Sequence, residues 1–551
     1  MGAGLACARY HTDPPPDCST AMKSSLILLL ACSLATGSAA ANSAPATNAS
    51  RVVVSAQTKT SWWGGVIEHG YRMPLAEGYE ADLCGDTYGN QGQPLLLSSR
   101  GDVVWSEDPF SFQLSSRGMV VEGRGGQLIQ ARAGNSLRDA YLYASRNHFP
   151  PSGKMPDELL FSAPQYNTWI ELMYDQNQAD ILKYSQGILD NDFPPGVLMI
   201  DDNWQQNYGQ WDFRKNKFPD AKGMIRTLHA KGFKVMLWVC PFVHTNSHSY
   251  ADLAANNLLL KGSTGGVALV KWWNGESALL DFTNPQAVAW FRSQLDYLQT
   301  AYKVDGFKFD GGDSSYYQGT VASQPVSANT HSELFGRIGL AYPLNEYRAM
   351  WKMGGQPLAE RLRDKDHSWS DLPKLVPNML LEGLMGYPFC CPDMIGGGEY
   401  KSFQSSATID QELVVRSAQC HALMPMMQFS VAPWRVLDPT HLKAARKAVE
   451  VREKHKSFIL ELARQSASTG EPIVRSLEYA FPHQGYEGIK DQFLLGDRIL
   501  VAPVLEKGAR ERQVVLPPGV WQGLDGKRHE GPARITVPVQ LDELCFFERT
   551  D

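Results

Sequence analysis

Four short segments of the sequence carry aspartate where an apolar, strand-like run ends. They are Met199–Trp204, Asp305–Asp313, Arg361–Asp366 and Cys390–Gly397. Few histidines or cysteines lie beside these aspartates, so the residue types favour carboxylate chemistry. Glycoside hydrolysis is one such chemistry, because one carboxyl group attacks or stabilises the anomeric carbon while another protonates the leaving oxygen. Further aspartates could accept hydrogen bonds from sugar hydroxyls, and this chemistry requires no metal or organic cofactor.

Lys308 and Asp310 form the most specific pair in these segments. They lie two residues apart on one predicted strand, so both side chains point to the same face. A neighbouring ammonium group favours the ionised carboxylate and lowers the pKa of Asp310, as a nucleophile requires. The following Gly311 and Gly312 allow a ligand to approach the backbone closely. The alternative is a structural Lys–Asp pair beneath the site.

The adjacent Asp201 and Asp202 allow two interpretations. Neighbouring carboxylates can hold Mg²⁺ or Ca²⁺, but successive strand residues point to opposite faces and cannot share one ion without a bend. We therefore expect sugar binding rather than metal binding. Trp169, Trp204 and Trp238 lie at or near predicted strand ends and could stack on a pyranose, although core packing is the alternative for each.

Alternating apolar and amphipathic segments between residues 156 and 466 predict the elements that position these side chains. Eight strands are expected to begin near Gln165, Val197, Phe233, Asp305, Asn345, Leu358, Pro388 and Met424. Helical periodicity between or after them indicates βα units and therefore an α/β fold, a (β/α)8 TIM barrel. Catalytic groups of such barrels lie at the C-terminal ends of the strands, where the four aspartate segments fall. A doubly wound open sheet is the alternative, but no glycine-rich dinucleotide fingerprint follows a strand.

Two regions rich in short β-like runs flank the predicted barrel. Residues 42–155 are expected to form an N-terminal β-sandwich, and residues 467–551 are expected to form a C-terminal β-sandwich domain. The first short strand of the C-terminal domain is expected from Pro472 to Tyr479. A signal or targeting region is expected over residues 1–41.

The charge balance excludes some classes of partner. The formal net charge is -6 and the isoelectric point is near 6.1, which argues against nucleic-acid binding because phosphate contact needs a basic face. No segment is long and apolar enough to predict a membrane span.

The N-terminal residues are typical of an exported protein. Met22 and a lysine precede the apolar run Leu26–Ala35, and the small residues Ala39–Ala41 follow. This order predicts a secretory signal peptide that begins at Met22, with a periplasmic or secreted product. A lipobox-like run ends at Cys32, but the apolar core before it is very short, so cleavage near Ala39–Ala41 is preferred to lipidation.

Several motifs resemble glycoside hydrolase family 31. DGFKFDGGD (Asp305–Asp313) is similar to its nucleophile strand, Pro94–Phe112 to its N-terminal sandwich and Asp491–Trp521 to its β domain after the barrel. Other motifs resemble the myogenesis-regulating glycosidase branch of the family and its bacterial relatives: Ile200–Trp204, Tyr208–Met224, Asp364–Trp369 and Pro392–Tyr400.

This resemblance implies retaining hydrolysis of an α-glycoside, with Asp310 as the nucleophile and Asp364 as the acid/base. The acid lies in Arg-Leu-Arg-Asp-Lys-Asp rather than in the Trp-x-Gly-Asp setting of the family's α-glucosidases, so Asp366 is a rival acid. Arg363 and Lys365 would favour an ionised carboxylate, which opposes a role as general acid. Strand alternation turns both of them away from Asp364.

The resemblance also implies a set of substrate-binding residues. Arg348 matches the family's sugar-binding arginine, Asp201 matches the aspartate that binds distal hydroxyls, and Asp393 is expected to orient Arg348 or the sugar. The implied substrate is an oligosaccharide or glycoside. An α-galactoside is favoured, because the branch is associated with α-galactosides and Asp201-Asp202 precedes a tryptophan, as in other α-galactosidases.

Other functions remain open from the sequence. An α-glucosidase is the first alternative, followed by other α-glycosidases such as a sulfoquinovosidase. A transglycosylase or lyase could use the same site with a different fate for the intermediate. A non-catalytic sugar-binding protein that keeps the barrel is the least favoured alternative, since both candidate carboxylates are present.

Overall fold

The computed structural model describes residues 44–55, 60–405 and 409–551. The predicted signal region, with the start at Met22 and the candidate lipidation site Cys32, lies outside the described residues. Within those ranges, no helix combines the length and apolar character needed to cross a bilayer.

Eight parallel strands form the central sheet of the part of the chain described. They are β1 (Gln165–Asn167), β2 (Val197–Ile200), β3 (Lys234–Val239), β4 (Gly306–Phe309), β5 (Asn345–Tyr347), β6 (Glu360–Arg361), β7 (Cys390–Cys391) and β8 (Gln428–Phe429). Hydrogen bonds join them in the order β7-β6-β5-β4-β3-β2-β1-β8. A parallel bridge from Met394, after β7, to Gln428 of β8 closes the ring. The predicted TIM barrel is confirmed.

Helices connect and surround the barrel strands. The longer ones are Gln178–Asp190, Ala221–Ala230, Pro285–Tyr302, Ala328–Gly336, Leu375–Leu384, Gln411–Ala422 and Pro439–Thr469. Short helices occupy Leu159–Ser162, Trp169–Leu172, Tyr250–Ala255 and Pro433–Val436. Several begin where a side chain accepts a backbone N–H, as Asn177 accepts from Asp180 and Asp410 from Leu413.

Two insertions extend the barrel after β2 and β3. A hairpin of Gln205–Asn207 and Gln210–Phe213 follows β2. A three-stranded sheet of Phe242–Val243, Gly275–Leu279 and Val270–Trp272 follows β3. Both insertions leave the C-terminal ends of strands, where they contribute side chains to the mouth of the barrel.

The N-terminal region contains two antiparallel sheets, as the sandwich prediction requires. One sheet contains Ala44–Ala49, Leu128–Arg132, Asp102–Ser106, Gly92–Ser98 and Trp62–Val66 in that order. The other contains Arg51–Ser55, Gly118–Gly123, Phe110–Ser115 and Glu80–Asp82. The helix Leu137–His148 was not predicted from the sequence; it begins where Ser136 accepts the backbone N–H of Asp139.

The C-terminal region is an antiparallel sheet domain. Its described strands join as one six-stranded sheet rather than two: Val474–Arg475, Phe493–Leu495, Ile499–Val501, Phe546–Arg549, Glu511–Gly523 and Arg528–Pro538. The strand expected from Pro472 to Tyr479 is shorter than predicted, because Ser476 caps a short helix, Leu477–Ala480. The exact limits of the three predicted regions stay predictions.

Candidate active site

The four aspartate segments converge at the C-terminal end of the barrel. Asp201 directly follows β2, and Asp310 directly follows β4. Asp364 lies three residues beyond β6, and Asp393 lies two residues beyond β7. This end of a TIM barrel is where its catalytic residues are found, so the structure brings the predicted site residues to the expected place.

Asp310 is buried and held by donors at both carboxylate oxygens. Its Oδ1 accepts from Arg348 Nε at 2.7 Å and from the Gly311 backbone N at 2.8 Å. Its Oδ2 accepts from the Trp238 indole Nε1 at 3.1 Å. Burial alone would raise the pKa of Asp310, but the charges of Arg348 and then Lys308 outweigh it and hold the pKa well below its usual range. The carboxylate is therefore ionised, as a nucleophile must be.

Lys308 contacts Asp201 rather than Asp310. Its Nζ donates to Asp201 Oδ2 at 2.7 Å, and both side chains are almost fully buried. The other oxygen of Asp201 accepts the backbone N–H of Asp202 at 2.8 Å. Lys308 therefore acts on Asp310 through space, and its direct ion pair joins the ends of β2 and β4.

Arg348, just after β5, binds two aspartates. Besides its bond to Asp310, it forms a two-pronged pair with Asp313, with Nη1–Oδ1 at 3.0 Å and Nη2–Oδ2 at 2.6 Å. Its Nη1 also donates to the Gly89 carbonyl of the N-terminal region at 2.8 Å. The guanidinium lies 5.5 Å from the ring centroid of Trp273, close enough for a cation–π contact. Most of its hydrogen-bonding capacity is thus used within the protein.

Arg361, at the end of β6, links Asp364 and Asp393. Its Nη1 donates to Asp364 Oδ1 at 2.8 Å and to Asp393 Oδ1 at 2.5 Å. Asp393 was expected to orient Arg348 or the sugar, but its direct partner is Arg361. Its other oxygen accepts the backbone N–H groups of Lys365 and Gly398. Burial raises the pKa of Asp393 to about 7, although Arg361 opposes the shift.

The two candidate acids have different surroundings. Asp364 is partly exposed, with 35% of its side chain accessible and one oxygen on Arg361. Asp366 is exposed, and its backbone N–H donates to Asp371 Oδ2. The basic neighbours named from the sequence do not pair with Asp364, because Arg363 is exposed and Lys365 pairs with Glu68. The cation that contacts Asp364 is instead Arg361.

Asp202 lies at the centre of a second polar cluster. Its Oδ1 accepts from Gln205 Nε2 at 3.0 Å, and its Oδ2 accepts from the Tyr208 hydroxyl at 3.1 Å and Asn274 Nδ2 at 2.7 Å. Burial, aided by the charge of Asp201, raises the pKa of Asp202 to about 6. Residues 44–55, 60–405 and 409–551 contain no group of three or more histidines, cysteines or acids that could hold a metal ion.

The tryptophans named from the sequence differ in their exposure. Trp204 is fully buried and donates from Nε1 to the Trp238 carbonyl, which favours core packing. Trp238 is also buried, and its contact with the site is the hydrogen bond to Asp310. Trp169 is 9% exposed and donates to the Gly398 carbonyl. Trp273, which the sequence analysis did not name, is 43% exposed beside Arg348.

Several residues that build the site were not predicted from the sequence. Arg361 had a detectable signal, because it begins a segment already singled out and faces the same way as Arg363 in an extended chain. Asp313 likewise ended the segment containing Asp310. Tyr208 begins a motif already named for its family resemblance, but that motif gave the residue no role. Asn274 comes from an insertion with no pattern to place it, so the fold alone reveals it.

Comparison with known protein families assigns the chain to one family. The family model described as "Glycosyl hydrolases family 31 TIM-barrel domain" matches residues 159–361. The model described as "Glycosyl hydrolase family 31 C-terminal domain" matches residues 470–551. The two matches together cover just over half of the sequence, and the chain belongs to glycoside hydrolase family 31. It is therefore a member of a family of glycosidases that includes α-glucosidases and xylosidases.

Individual relatives support this assignment. The chain is 36% identical over 432 residues to the myogenesis-regulating glycosidase of Mus musculus, covering 75% of this chain and 60% of that protein. It is 24% identical over 406 residues to alpha-glucosidase 2 of Bacillus thermoamyloliquefaciens, covering 68% of this chain and 50% of that protein. The chain thus spans only about half to 60% of these relatives. A crystal structure of a family 31 alpha-xylosidase from a soil metagenome superimposes with a TM-score of 0.79 at 20% identity, covering 91% of this chain and 79% of that one.

Proposed function

We propose that the protein is a retaining, exo-acting α-glycosidase that removes terminal α-galactose from glycosides or oligosaccharides. The observation that carries the proposal is the environment of Asp310, a buried carboxylate kept ionised by Arg348 and Lys308. A second carboxylate, Asp364, follows a strand at the same end of the barrel. These are the two groups that retaining glycoside hydrolysis needs.

The proposed reaction has two displacement steps. Asp310 attacks the anomeric carbon and forms a β-linked glycosyl-enzyme, while Asp364 gives its proton to the departing glycosidic oxygen. Asp364 then removes a proton from water, and the resulting attack on the anomeric carbon releases Asp310 and a sugar of retained α configuration. Retention requires the two carboxyl groups to lie about 5–5.5 Å apart when the substrate is bound.

The choice of galactoside rests on the resemblance to the myogenesis-regulating branch and on the Asp201-Asp202 pair before Trp204. An axial 4-hydroxyl needs an acceptor in a particular direction, and buried carboxylates at the end of β2 supply candidates. An α-glucosidase is the second candidate, supported by the similarity to a named α-glucosidase. A sulfoquinovosidase or a transglycosylase would use the same two carboxylates.

The test compares initial hydrolysis rates on 4-nitrophenyl α-galactoside and 4-nitrophenyl α-glucoside. We expect turnover of the galactoside, a lower kcat/KM on the glucoside, and a loss of at least about 10⁴-fold in Asp310→Ala, because the covalent step cannot occur without the nucleophile. Preference for the glucoside would overturn the sugar assignment alone. No turnover of any α-glycoside, with sugar binding retained, would favour the binding-protein alternative.

Two further variants separate the candidate acids in the same assay. With Asp364→Ala, added azide should restore turnover of an activated substrate and give the α-glycosyl azide, because azide attacks the glycosyl-enzyme without needing a base. Asp366→Ala should keep nearly normal rates, since this side chain is exposed outside the network of Arg361. The opposite pattern would make Asp366 the acid/base.

We also propose that the protein is exported, on the basis of the N-terminal sequence pattern alone. Expression of the chain from Met22 in a bacterial host should give a product processed near Ala39–Ala41 and recovered outside the cytoplasm. Mass spectrometry of the mature N-terminus checks this expectation. A product lipidated at Cys32 would replace signal cleavage with anchoring, and an unprocessed cytoplasmic product would contradict export.

A further inference from the structure

Three residues of the N-terminal region hold the loop that carries Asp364. They bind alternate residues of that loop. Gln91 Nε2 donates to the Arg361 carbonyl at 3.3 Å, Asn90 Oδ1 accepts the Arg363 backbone N–H at 2.8 Å, and Glu68 Oε2 pairs with Lys365 Nζ at 2.5 Å. The loop is thus fixed on both sides of Asp364 by residues from a different part of the fold.

These contacts are largely shielded from water. Asn90 and Gln91 are fully buried, Lys365 is 3% exposed, and the Glu68 side chain is 18% exposed. Asn90 Nδ2 also donates to Glu68 Oε2 at 3.2 Å, so the two residues that bind Arg363 and Lys365 are themselves hydrogen-bonded to each other. A buried ion pair cannot be replaced cheaply by solvent, because losing one partner leaves the other charge uncompensated.

The segment Gly89–Gln91 also contacts Arg348, the arginine that pairs with Asp310. The Gly89 carbonyl accepts from Arg348 Nη1 at 2.8 Å, and Gln91 Nε2 donates to the Arg348 carbonyl at 3.0 Å. Gly89 has a φ of +73°, and a Cβ atom there would lie 2.9 Å from Arg348 Nη1. One short segment of the N-terminal region therefore contacts the loops that follow both β5 and β6.

We propose that Glu68, Asn90 and Gln91 are positioning residues for Asp364, so that the N-terminal region takes part in the proton-transfer step. This inference rests on the proposed function, in which Asp364 is the acid/base. Removing even one of these side chains should strongly lower the rate on substrates whose leaving group needs a proton, because small displacements of a general acid sharply reduce its contribution.

The leaving group of the substrate provides the test. Glu68→Gln and Asn90→Ala should each lower kcat/KM about tenfold or more on an alkyl α-galactoside, whose departing alkoxide needs a proton. On 2,4-dinitrophenyl α-galactoside, whose leaving group departs without a proton, each should change kcat/KM by less than about threefold. A purely structural role would lower kcat/KM equally on both substrates, since it would lower the fraction of folded enzyme.

Two controls separate the possible failures. Glu107→Gln removes another ion pair between the N-terminal region and the barrel, with Lys352 at 2.9 Å. This change should leave kcat/KM unaltered on both substrates. Asp364→Ala should show the same leaving-group dependence in a stronger form. If Asp364→Ala does so while Glu68→Gln and Asn90→Ala do not, the positioning inference is wrong and the proposed function stands. If Asp364→Ala itself shows no such dependence, the assignment of the acid fails.

Discussion

At the scale of single residues, the site depends on two buried arginines with separate tasks. Arg348 pairs with Asp310 and Asp313, whereas Arg361 pairs with Asp364 and Asp393. Guanidinium groups suit these positions because they stay charged and present several donors in a fixed plane. Each carboxylate proposed for catalysis thus has a different arginine as its direct partner, although the charges of Lys308 and Arg361 also lower the pKa of Asp310.

Removal of Arg348 should move the acid limb of the pH profile. Burial raises the pKa of Asp310 and Arg348 is the strongest opposing charge, so the pKa rises in Arg348→Met. In the proposed mechanism only the ionised form of Asp310 attacks the sugar, so kcat/KM should begin to fall at a higher pH than in the wild type. Residual rates on an α-galactosyl fluoride measured against pH check this shift.

Two other variants complete this measurement. Arg348→Lys keeps a positive charge and should shift the acid limb less than Arg348→Met. Arg337→Met removes an arginine that is 60% exposed and pairs with Glu333, and it should leave the profile unchanged. An unchanged limb in Arg348→Met would mean that Asp310 is not the titrating group.

At the scale of elements, the long helix Pro439–Thr469 contacts the segments that precede the first and the last strand of the barrel. Arg452, near the middle of this helix, is fully buried and donates to the carbonyls of Phe161, Met424 and Pro425, each at 2.8 Å. Burial lowers the pKa of Arg452 to about 10, so the group is still charged at neutral pH. One side chain thereby satisfies the backbone just before β1 and β8, the first and last strands of the barrel, which pair with each other.

Loss of this arginine should destabilise the fold. Arg452→Met leaves several buried carbonyls without donors, and we expect the free energy of unfolding to fall by about 3 kcal/mol or more. Urea unfolding followed by circular dichroism measures the change. The matched control on the same helix is Lys456→Met, which removes an exposed pair with Glu453 and should change stability by less than about 0.5 kcal/mol. Equal midpoints for the two variants would contradict the role of Arg452.

Sequence patterns predicted where the elements begin better than how long they are. The eight strands start within a few residues of the expected positions because apolar runs and helical periodicity alternate so regularly. Yet β6, β7 and β8 contain only two residues each, since their pairing depends on neighbours that a local pattern does not contain. The same limitation explains why the strand expected from Pro472 is shorter than predicted: Ser476 caps a helix there instead.

At the scale of the whole molecule, the candidate site divides into a local part and a distant part. In the local part, Asp310 could be named because Lys308 and the following glycines lie in the same short segment. Asp364 could be named because it ends a strand-like segment and matches the family's acid/base position. The distant part could not be named, because Asn90 and its partner Arg363 are 273 residues apart and Glu68 and Lys365 are 297 apart. No periodicity in the sequence links positions so far apart.

The contact between the Gly89–Gln91 segment and the barrel loops also has a consequence for synthesis. A growing chain exposes its N-terminal residues first, and domains fold broadly in that order. The partners of Glu68 and Asn90 are added almost 300 residues later, close to two thirds of the way along the chain. A nascent chain therefore cannot form these contacts until about two thirds of it has been synthesised, so the N-terminal region meets its partners in the barrel late in translation.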